Sequence, residues 1–382
     1  SSVSSEKLTA VPSGQLDQAL QGRAAGLTVI SNGAPGQGAT MRVRGISTVN
    51  DANPLFVVDG VVATGINNLN PSDIESIEVL KDASTAAIYG SLGSNGVIMI
   101  TTKKGKAGKA TLDFEGYYGV QYTKARYDLL NAAQYKEYAT GGAFTTPPVY
   151  TNPIYADRLA GKNPSRPLGG ETDWQDEIYQ NGPMQNYDLS LSGGNENSTF
   201  RLSAGYLNQR GIVIKTGNER YNFRANSDFK KGILKIGENF SLAFGSQDPF
   251  ADNGGRSLLE HAIKMAPYLP VYNENNLGGY QGPRTSIDGQ DAENPVRIME
   301  LNSLKTNIQD ILGNIYGELE LIKGLKFRTN LGLQDERIVS NQLFPTYNDD
   351  NLGGNTHRAT FANIFKNRAT YSAFLFTNNF TY

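Results

Sequence analysis

The side chains that could do chemistry are few and scattered in this sequence. Cysteine is absent, and the two histidines are His261 and His357. This excludes thiolate metal sites, cysteine nucleophiles and a multi-histidine zinc site built by this chain alone. Neither histidine has the serine and aspartate context of a catalytic triad. We therefore expect no enzymatic activity, no metal and no other cofactor.

Two groups of carboxylates are of the residue type that calcium prefers in proteins. Asp349 and Asp350 are adjacent, and Asp288, Asp291 and Glu293 lie close together in sequence. Neither group follows the order of an EF-hand loop, so we interpret both as solvated loop charges.

Charged residues also lie in or beside short apolar runs near the N-terminus. Arg42 and Arg44 belong to one run, Asp59 follows a second, and Lys81 follows a third. A charge that is removed from water needs a partner. We therefore predict that these four residues form ion pairs where the N-terminal domain meets the rest of the protein. An alternative is that breaking these pairs permits a rearrangement, and it requires the same contacts.

The first 105 residues mix short strands with short helices. A short helix over residues 16–20 is ended by glycines, and strands are predicted at 27–30, 41–44, 55–58, 76–80 and 97–102. The pair Asp59 and Gly60 is typical of a hairpin turn. Helices are predicted to begin near Asn70 and Asp82.

From residue 110 onward, apolar and polar residues alternate along the chain. Phe200, Leu202, Ala204 and Tyr206 share one parity, for example, and Arg201 belongs to the other. Strands are predicted at about 110–122, 185–194, 198–208, 218–230, 232–247, 306–322, 324–338 and 369–382. Alternation of this kind is typical of a barrel with a lipid-facing outer surface and a wet lumen. A charge at Leu202 should therefore be costly, and one at Ser203 should be tolerated.

The connections between these strands are sorted by length. Tight turns are predicted at 194–197, 230–231 and 323–324, whereas the other connections are longer, with local helices at 129–139 and 256–265. The short turns therefore lie at one end of the sheet and the long loops at the other, as in outer-membrane barrels.

Net charge and hydropathy are consistent with a membrane barrel. The formal net charge is -2, which gives no general attraction to nucleic acid. Apolar runs are strand-sized, and Ser1 begins a polar stretch without the character of a signal peptide.

The order of these motifs resembles a known family. MRVRGISTVNDANPLFVVDG begins at Met41, and NPSDIESIEVLKDASTAAIYGSLGSNGVIMITTKKG begins at Asn70. Together they resemble the plug domain of TonB-dependent outer-membrane transporters, in the SusC/RagA-like branch. The resemblance continues more loosely through residues 171–178 and 184–194.

The resemblance implies a mainly β fold in two parts. Residues 1–105 would form an α+β plug domain, here called the plug. Residues 106–382 would form about eight strands at the N-terminal end of a large transmembrane antiparallel barrel. Eight strands enclose too little space for a plug, and plugged transporters have about 22. We therefore expect about 14 further strands outside this chain, and we expect this segment alone not to insert as a stable barrel.

The resemblance also implies a function. A SusC-like protein in the outer membrane takes up oligosaccharides or peptides together with a SusD-like surface lipoprotein. TonB supplies the energy through an upstream TonB box that this chain does not contain. The long loops would be extracellular and the short turns periplasmic. An alternative on the same fold is a non-transporting receptor or a scaffold subunit of a larger protein complex.

Ligand contacts are expected on the plug loops 31–38 and 46–53 and on the long barrel loops. The candidate residues are Asn50, Asp51, Asn53, Tyr150 and Tyr268. Tyrosine is included because it is enriched in binding surfaces.

Overall fold

The computed structural model describes residues 2–10, 12–31, 33–43, 52–81, 87–124, 126–139, 171–250, 256–283, 291–350 and 357–382. Two sheets dominate this part of the chain: a mixed sheet of five strands in the plug and an antiparallel sheet of eight strands after it. The predicted fold class, mainly β with an α+β plug, is confirmed.

The plug contains short elements that alternate between strands and single helical turns. In chain order they are β1 (Ser2–Ser4), α1 (Ser5–Thr9), α2 (Leu16–Ala19), β2 (Leu27–Ile30), β3 (Thr40–Val43), β4 (Leu55–Val58), β5 (Val61–Ala63), the 3-10 helix η1 (Pro71–Asp73), β6 (Ile74–Leu80), the 3-10 helix η2 (Ala87–Gly93) and β7 (Val97–Thr102). The main sheet has the order β1-β6-β7-β4-β5, in which only β4 and β7 are parallel. Strands β2 and β3 form a separate antiparallel pair.

The plug has its own apolar core. Ile74, Ile77, Ile98 and Ile100 on β6 and β7 are buried against residues of α1 and α2 such as Leu8. The predicted turn between β4 and β5 is also present: Asp59 has φ 49° and Gly60 has φ 89°. Positive φ at both central residues matches the right-handed twist of the flanking strands, which places the Asp59 side chain at the tip of the hairpin.

The helix predicted at 16–20 is present, but the helix predicted near Asn70 is not formed as expected, and the start of the one predicted near Asp82 is not described. At Asn70 there is a single 3-10 turn, because the Asn70 side chain accepts from the backbone N–H of Ser72 and β6 begins immediately at Ile74. Residues 82–86 lie outside the described part of the chain. The turn that follows them is 3-10 and is interrupted at Gly90, which has φ 57°.

All eight predicted barrel strands are present. They are β8 (Gly108–Gln121), β9 (Gly182–Gly194), β10 (Ser198–Arg210), β11 (Gly217–Lys231), β12 (Leu234–Asp248), β13 (Ser303–Ile322), β14 (Leu325–Phe344) and, after two short strands in the loops, β17 (Asn363–Thr381). Each pairs antiparallel with its neighbour in that order. The turn predicted at 230–231 lies instead at 232–233, because Gly232 supplies the positive φ of 60° that the reversal requires.

The predicted alternation separates the two faces of this sheet. On β11, Tyr221 and Phe223 are 42% and 48% exposed, whereas Arg220 and Arg224 are 4% and 7% exposed. The polar face is buried because the plug packs against it, and we call this face the wall. The apolar face has no protein neighbour among the described residues and is left for lipid.

The long connections form a separate layer, here called the loop layer. Its elements are α3 (Ala132–Ala139), α4 (Trp174–Ile178), α5 (Leu258–Lys264), α6 (Pro295–Leu301), β15 (Tyr347–Asn348) and β16 (Arg358–Ala359). A second apolar cluster, which includes Trp174, Leu269 and Met299, holds the four helices together. The Trp174 Nε1–H donates to the backbone oxygen of Ala266 at 3.0 Å. Helices predicted at 129–139 and 256–265 are confirmed with later starts.

No helix in the described ranges has the length and apolar character needed to cross a membrane. Strand β7 ends at Thr102 and β8 begins at Gly108. The division of the chain at residues 105 and 106 stays a prediction.

The expectation that Ser203 tolerates a charge stays a prediction, but Ser203 faces the plug and not an open lumen. The Ser203 hydroxyl donates to Asp73 Oδ1 at 2.7 Å, on the side of the sheet covered by the plug. A charge there would displace a polar contact between plug and wall instead of entering open water.

The lipid-facing assignment predicts a depth-dependent cost. Leu202 is 49% exposed and lies opposite Ala225, midway along the apolar face. Leu202→Lys should destabilise the folded receptor by about 2–4 kcal/mol, and Asn208→Lys, nearer the long-loop end of the same face, by about 0–1 kcal/mol. Reversible unfolding of the full-length receptor in lipid vesicles measures both, and equal costs would contradict the assignment.

Candidate functional site

The site that the fold builds is the contact between the plug and the wall. Its plug side consists of the β4–β5 hairpin, residues 64–73 and the end of β7. Its wall side consists of inward side chains of β9 to β14. These side chains are polar because they occupy the buried parity of alternating strands.

Asp59 lies at the centre of this contact. Its carboxylate pairs with Arg224 of β11, and both side chains are buried, at 6% and 5% exposure. Thr102 also donates to this carboxylate, from its backbone N–H at 3.0 Å and from its hydroxyl at 2.7 Å. The amide of Asn314 donates to the backbone oxygen of Asp59 at 3.1 Å. The tip of one plug hairpin is thus bound to β7 of the plug and to two strands of the wall.

The 3-10 turn η1 supplies a second point of attachment. Asp73 accepts from Ser203 and lies 3.7 Å from the Arg201 guanidinium. On the neighbouring strand, Asp188 accepts from the side chains of Asn70 and of Ser72, the latter at 3.0 Å. Each carboxylate therefore has donors from the other partner, as burial requires.

A third attachment uses neutral donors from the plug. Thr64 donates its hydroxyl to Glu336 at 3.0 Å and its backbone N–H to Gln334 at 2.9 Å. The Asn68 amide donates to Glu336 at 3.2 Å and to Asp310 at 3.4 Å.

Wall side chains also bind the plug backbone directly. Arg220, Asn222 and Gln247 donate to the backbone oxygens of Asn67, Asn68 and Gly36 at 2.6, 2.5 and 2.7 Å. In contrast, Leu312 is the barrel residue that joins the buried apolar cluster of the plug, among the residues described. The plug is folded by its own apolar core and is held to the wall mainly by hydrogen bonds and ion pairs.

A cavity of about 480 Å³ lies between the plug and the wall at the end of the long loops. We call it the crown cavity. Its lining is rich in side-chain amides and includes one carboxylate: Gly36, Gln37, Gly38, Thr64, Gly65, Asn67, Asn68, Gln247, Ile308, Glu336 and Ile338. Amide and carboxylate groups of this kind can bind hydroxyl or peptide groups of a ligand.

The candidate ligand residues from the sequence have different positions. Asn50, Asp51 and Tyr150 lie outside the described residues. Asn53 is exposed, and its backbone oxygen accepts from Asn95 at 3.5 Å. Tyr268 is 4% exposed and its ring packs against Tyr135, 5.7 Å between centroids. This burial favours a packing role for Tyr268 over ligand contact.

The candidate interface charges also differ from one another. Asp59 contacts the wall as described, and Arg44 lies outside the described residues. Arg42 is half-buried, and its Nε has no hydrogen-bond partner in the described part of the chain. Lys81 lies over Gly26 of the plug itself, with its Nζ 2.7 Å from where a β-carbon of residue 26 would stand.

The sequence reasoning missed the wall partners of the plug. Arg224, Arg220 and Asn222 occupy the polar parity of β11, and a run of Arg and Asn at alternate positions was visible in the sequence. A row of long hydrogen-bond donors along a lumen-facing strand indicates an acceptor-rich partner, which here is the plug.

The loop layer contains a buried charge cluster. The Arg297 guanidinium pairs with Glu293 one turn earlier on the chain and, at 3.1 Å, with Asp349 from a different loop. The Tyr347 ring lies 3.7 Å from the guanidinium carbon. Arg297 is fully buried, and Asp349 and Asp350 are each 1% exposed. The interpretation of Asp349 and Asp350 as solvated charges was therefore wrong.

Comparison with known proteins agrees with this geometry. The family model described as TonB-dependent Receptor Plug Domain matches residues 1–97. TonB-dependent receptor P3 of Formosa agariphila is 36% identical over 356 residues, which are 91% of this chain and 33% of that protein. TonB-dependent receptor SusC of Bacteroides thetaiotaomicron is 35% identical over 78% of this chain and 31% of its own length.

A solved structure of the RagAB peptide importer in its open-open state superimposes with a TM-score of 0.72 at 25% identity. The match covers 90% of this chain and 41% of that one. The fold and site define a plugged β-barrel receptor of the outer membrane. Within that class, the chain belongs with the SusC/RagA-like TonB-dependent receptors. It spans about a third of the length of the curated relatives that it matches.

The buried pair of Asp59 and Arg224 predicts a large effect of removing one partner. Arg224→Met should destabilise plug docking by about 3–5 kcal/mol, because the Asp59 carboxylate loses its counter-charge. Hydrogen exchange at the Thr102 amide, which donates to Asp59, measures the docking. Asp59→Asn combined with Arg224→Met should recover part of the loss. Arg337→Met, which removes an ion pair with Asp335 on the exposed face, should cost under about 1 kcal/mol. An equal effect of the two arginine variants would contradict the prediction.

The loop layer should loosen as the pH rises. Burial raises the pKa of Asp349 to about 7, against the opposite effect of Arg297. Since the folded pKa lies above the ordinary value of 3.8, this carboxyl group's contribution to stability is fully present below about pH 4. It is lost as the pH rises through about 7. Hydrogen exchange of residues 291–302, corrected for intrinsic rates, should therefore increase between pH 5 and 8. Asp349→Asn should flatten that dependence, whereas Asp128→Asn at an exposed position should not. An unchanged slope in Asp349→Asn would contradict it.

Proposed function

We propose that the protein carrying this chain imports large nutrients, oligosaccharides or peptides, across the outer membrane. The plug would close the lumen in the resting state and be displaced during transport by TonB-dependent force. A SusD-like lipoprotein would cover the loop layer, which would be extracellular, and the short turns would be periplasmic. Residues 1–105 would act as the plug and residues 106–382 as part of the barrel.

One observation carries this proposal: the plug has its own apolar core, and its contacts with the wall are mainly polar. A hydrogen bond within a protein contributes only about 0.5–1.5 kcal/mol net, because water replaces the lost partner. A plug held in this way can leave the wall as water enters, and it keeps its own core. Separating an apolar interface of the same area would cost more free energy, because water does not replace apolar contacts.

Two observations support a large nutrient as the substrate, and neither distinguishes an oligosaccharide from a peptide. The lining of the crown cavity suits both hydroxyl and peptide groups. The RagAB structure is named a peptide importer, and the similarity to it supports a peptide as readily as an oligosaccharide. Asn50, Asp51, Asn53 and Tyr150 are proposed as further ligand contacts.

The alternative is a receptor or scaffold that binds at the surface and transports nothing. The number of plug–wall contacts favours this alternative, because a barrel that stays permanently closed would also have many such contacts. Transport requires the plug to move and surface binding does not, so plug movement distinguishes the two functions.

A disulfide between plug and wall tests whether the plug must move. A β-carbon at residue 332 would lie 3.5 Å from the Val61 β-carbon, within the range of disulfides. In the full-length receptor with its lipoprotein, Val61→Cys with Gly332→Cys should abolish uptake under oxidising conditions, and a reductant should restore it. The chain contributes no cysteine of its own to compete.

The single-cysteine variants are the controls and should transport normally in both conditions. Ligand binding to the surface complex should be unchanged by the disulfide. Undiminished uptake by the cross-linked receptor would contradict the proposed plug movement. Ligand binding without uptake in the reduced form and in both single variants would favour the receptor alternative.

A further inference from the structure

The segment that joins the plug to the wall also binds the wall. Strand β7 of the plug ends at Thr102 and β8 of the wall begins at Gly108, so residues 103–107 are the covalent connection between them. We call residues 103–105 the strap. The three attachments described above do not include it.

The backbone of the strap is bound on two sides at Lys103. Its N–H donates to the backbone oxygen of Asp73 in the plug at 2.8 Å. Its backbone oxygen accepts from the side-chain amide of Asn226 on β11 at 2.7 Å. Asn226 is buried, and its amide also lies 3.3 Å from the Thr102 hydroxyl. The strap therefore continues from the plug and is bound to the wall at its first residue.

The wall provides a seat for the next residue, Lys104. The Lys104 ammonium group donates to the Tyr316 hydroxyl at 3.2 Å and lies 3.6 Å from Asp228 Oδ2. It also lies 5.2 Å from the centre of the Tyr316 ring, within the range of a cation–π contact. The Tyr316 hydroxyl in turn donates to Asp228. Tyr316 belongs to β13 and Asp228 to β11, so the tyrosine reaches across β12 to complete this seat.

A glycine on β12 makes this crossing possible. Gly237 lies opposite both Asp228 and Tyr316 in the strand register. A β-carbon at residue 237 would stand 2.6 Å from Tyr316 Cζ and 2.7 Å from its hydroxyl oxygen. These distances are too short for non-bonded atoms, so an alanine there would push the ring aside. A β-carbon at Gly105 would likewise stand 2.5 Å from the Phe200 backbone nitrogen, so the strap runs directly along the backbone of β10.

The position of the strap in the chain gives this binding a consequence. In the proposed function, force enters at the N-terminal end of the plug, and the strap is the last plug segment along the chain. Residues 103–107 could span about 17 Å if they were freed and fully extended. While the strap stays bound, Thr102 has none of this freedom and remains beside Asn226 on the wall.

We propose that the strap keeps the C-terminal end of the plug on the wall while the rest of the plug moves, with Lys104 as its contact and Tyr316 and Gly237 as the residues that position this contact. The proposal rests on the plug movement of the proposed function. Thr102 donates to the Asp59 carboxylate, so the strap also keeps one binding partner of the hairpin tip in place. This would guide the hairpin back to the wall after each transport cycle.

Two cross-links in the full-length receptor with its lipoprotein test the strap. Lys104→Cys with Asp228→Cys, joined by a short bismaleimide, replaces the ion pair of the strap by a covalent link. Val61→Cys with Gly332→Cys forms the disulfide that holds the hairpin to the wall. Uptake should be normal with the first cross-link and abolished with the second. Mass spectrometry of the digested receptor measures how completely each cross-link has formed.

The outcomes separate this proposal from the proposed function. Loss of uptake with both cross-links would overturn the strap and leave the plug movement standing. Normal uptake with both would overturn the plug movement and, with it, the strap.

Substitutions without a cross-link test the seat of Lys104. Lys104→Met and Gly237→Ala should each speed hydrogen exchange of the Lys103 amide by about tenfold, because the ammonium group or its tyrosine partner is lost. Lys104→Arg keeps a cation that can donate to Tyr316 and should restore slow exchange. Unchanged exchange in Lys104→Met would overturn the contact.

Gly245→Ala is the matched control on the same strand. Its added β-carbon would lie 3.7 Å from the Ile308 β-carbon, which is an ordinary contact, so exchange of the Lys103 amide should not change. An equal effect of alanine at 237 and at 245 would overturn the role of Gly237.

Leakage of a large antibiotic through the receptor distinguishes guidance of a moving plug from a purely structural role. Lys104→Met cells should take up vancomycin faster than wild-type cells only while the transported ligand is present, because the plug returns more slowly after each cycle. Leakage that is equally fast without ligand would overturn the role of the strap in plug movement, since it would show a plug that is displaced at rest.

Discussion

The side chains of a β-strand point alternately to its two faces, and in this sheet the two faces meet different surroundings. One face is apolar and lacks a protein neighbour, and the other is polar and packs against the plug. A shift of one residue in any strand pairing would exchange the two faces. The register is therefore fixed by both surroundings at once, and strand lengths, turn positions and the plug contact all depend on it.

The polar face determines how the plug is held. An Arg or Asn that points at a buried surface must find an acceptor, because an unpaired buried polar group costs about 1–3 kcal/mol. The plug supplies these acceptors from the Asp59 turn, from Asp73 and from the backbone oxygens of residues 67 and 68. Polar pairing of this kind determines which docked position the plug adopts. It adds less to the free energy of docking, because water would bind the same groups in the undocked plug and wall.

Much of the fold could be predicted from the sequence. The eight barrel strands follow from alternation over long segments, and the plug strands follow from β-branched runs bounded by turn residues. Asp59 could be assigned to an interface because it follows a strand in a hairpin turn, where the side chain projects. Its partner Arg224 could not, because the pairing joins residues far apart in sequence through the docking of two separately folded units.

The errors have related physical causes. A carboxylate in a glycine-rich loop is usually solvated, but Asp349 is buried because Arg297 reaches it from another loop. Tyr268 was expected at a surface because it lies in a long loop, but the long loops form a layer with its own apolar core. The helix expected at Asn70 is one turn long because a strand begins immediately after it. For Asp349 and Tyr268, the local sequence indicates a solvated position, and contacts with distant segments decide the outcome.

The plug and the loop layer both contact the sheet, but different kinds of interaction hold them in place. The loop layer is held by an apolar cluster and by the buried Arg297 cluster, whose members come from different loops. Separating these loops would expose the apolar surface of this cluster, which is costly because water does not replace apolar contacts. The plug, in contrast, meets the wall through groups that water can satisfy. A force applied to the plug should therefore separate plug from wall before it disturbs the loops.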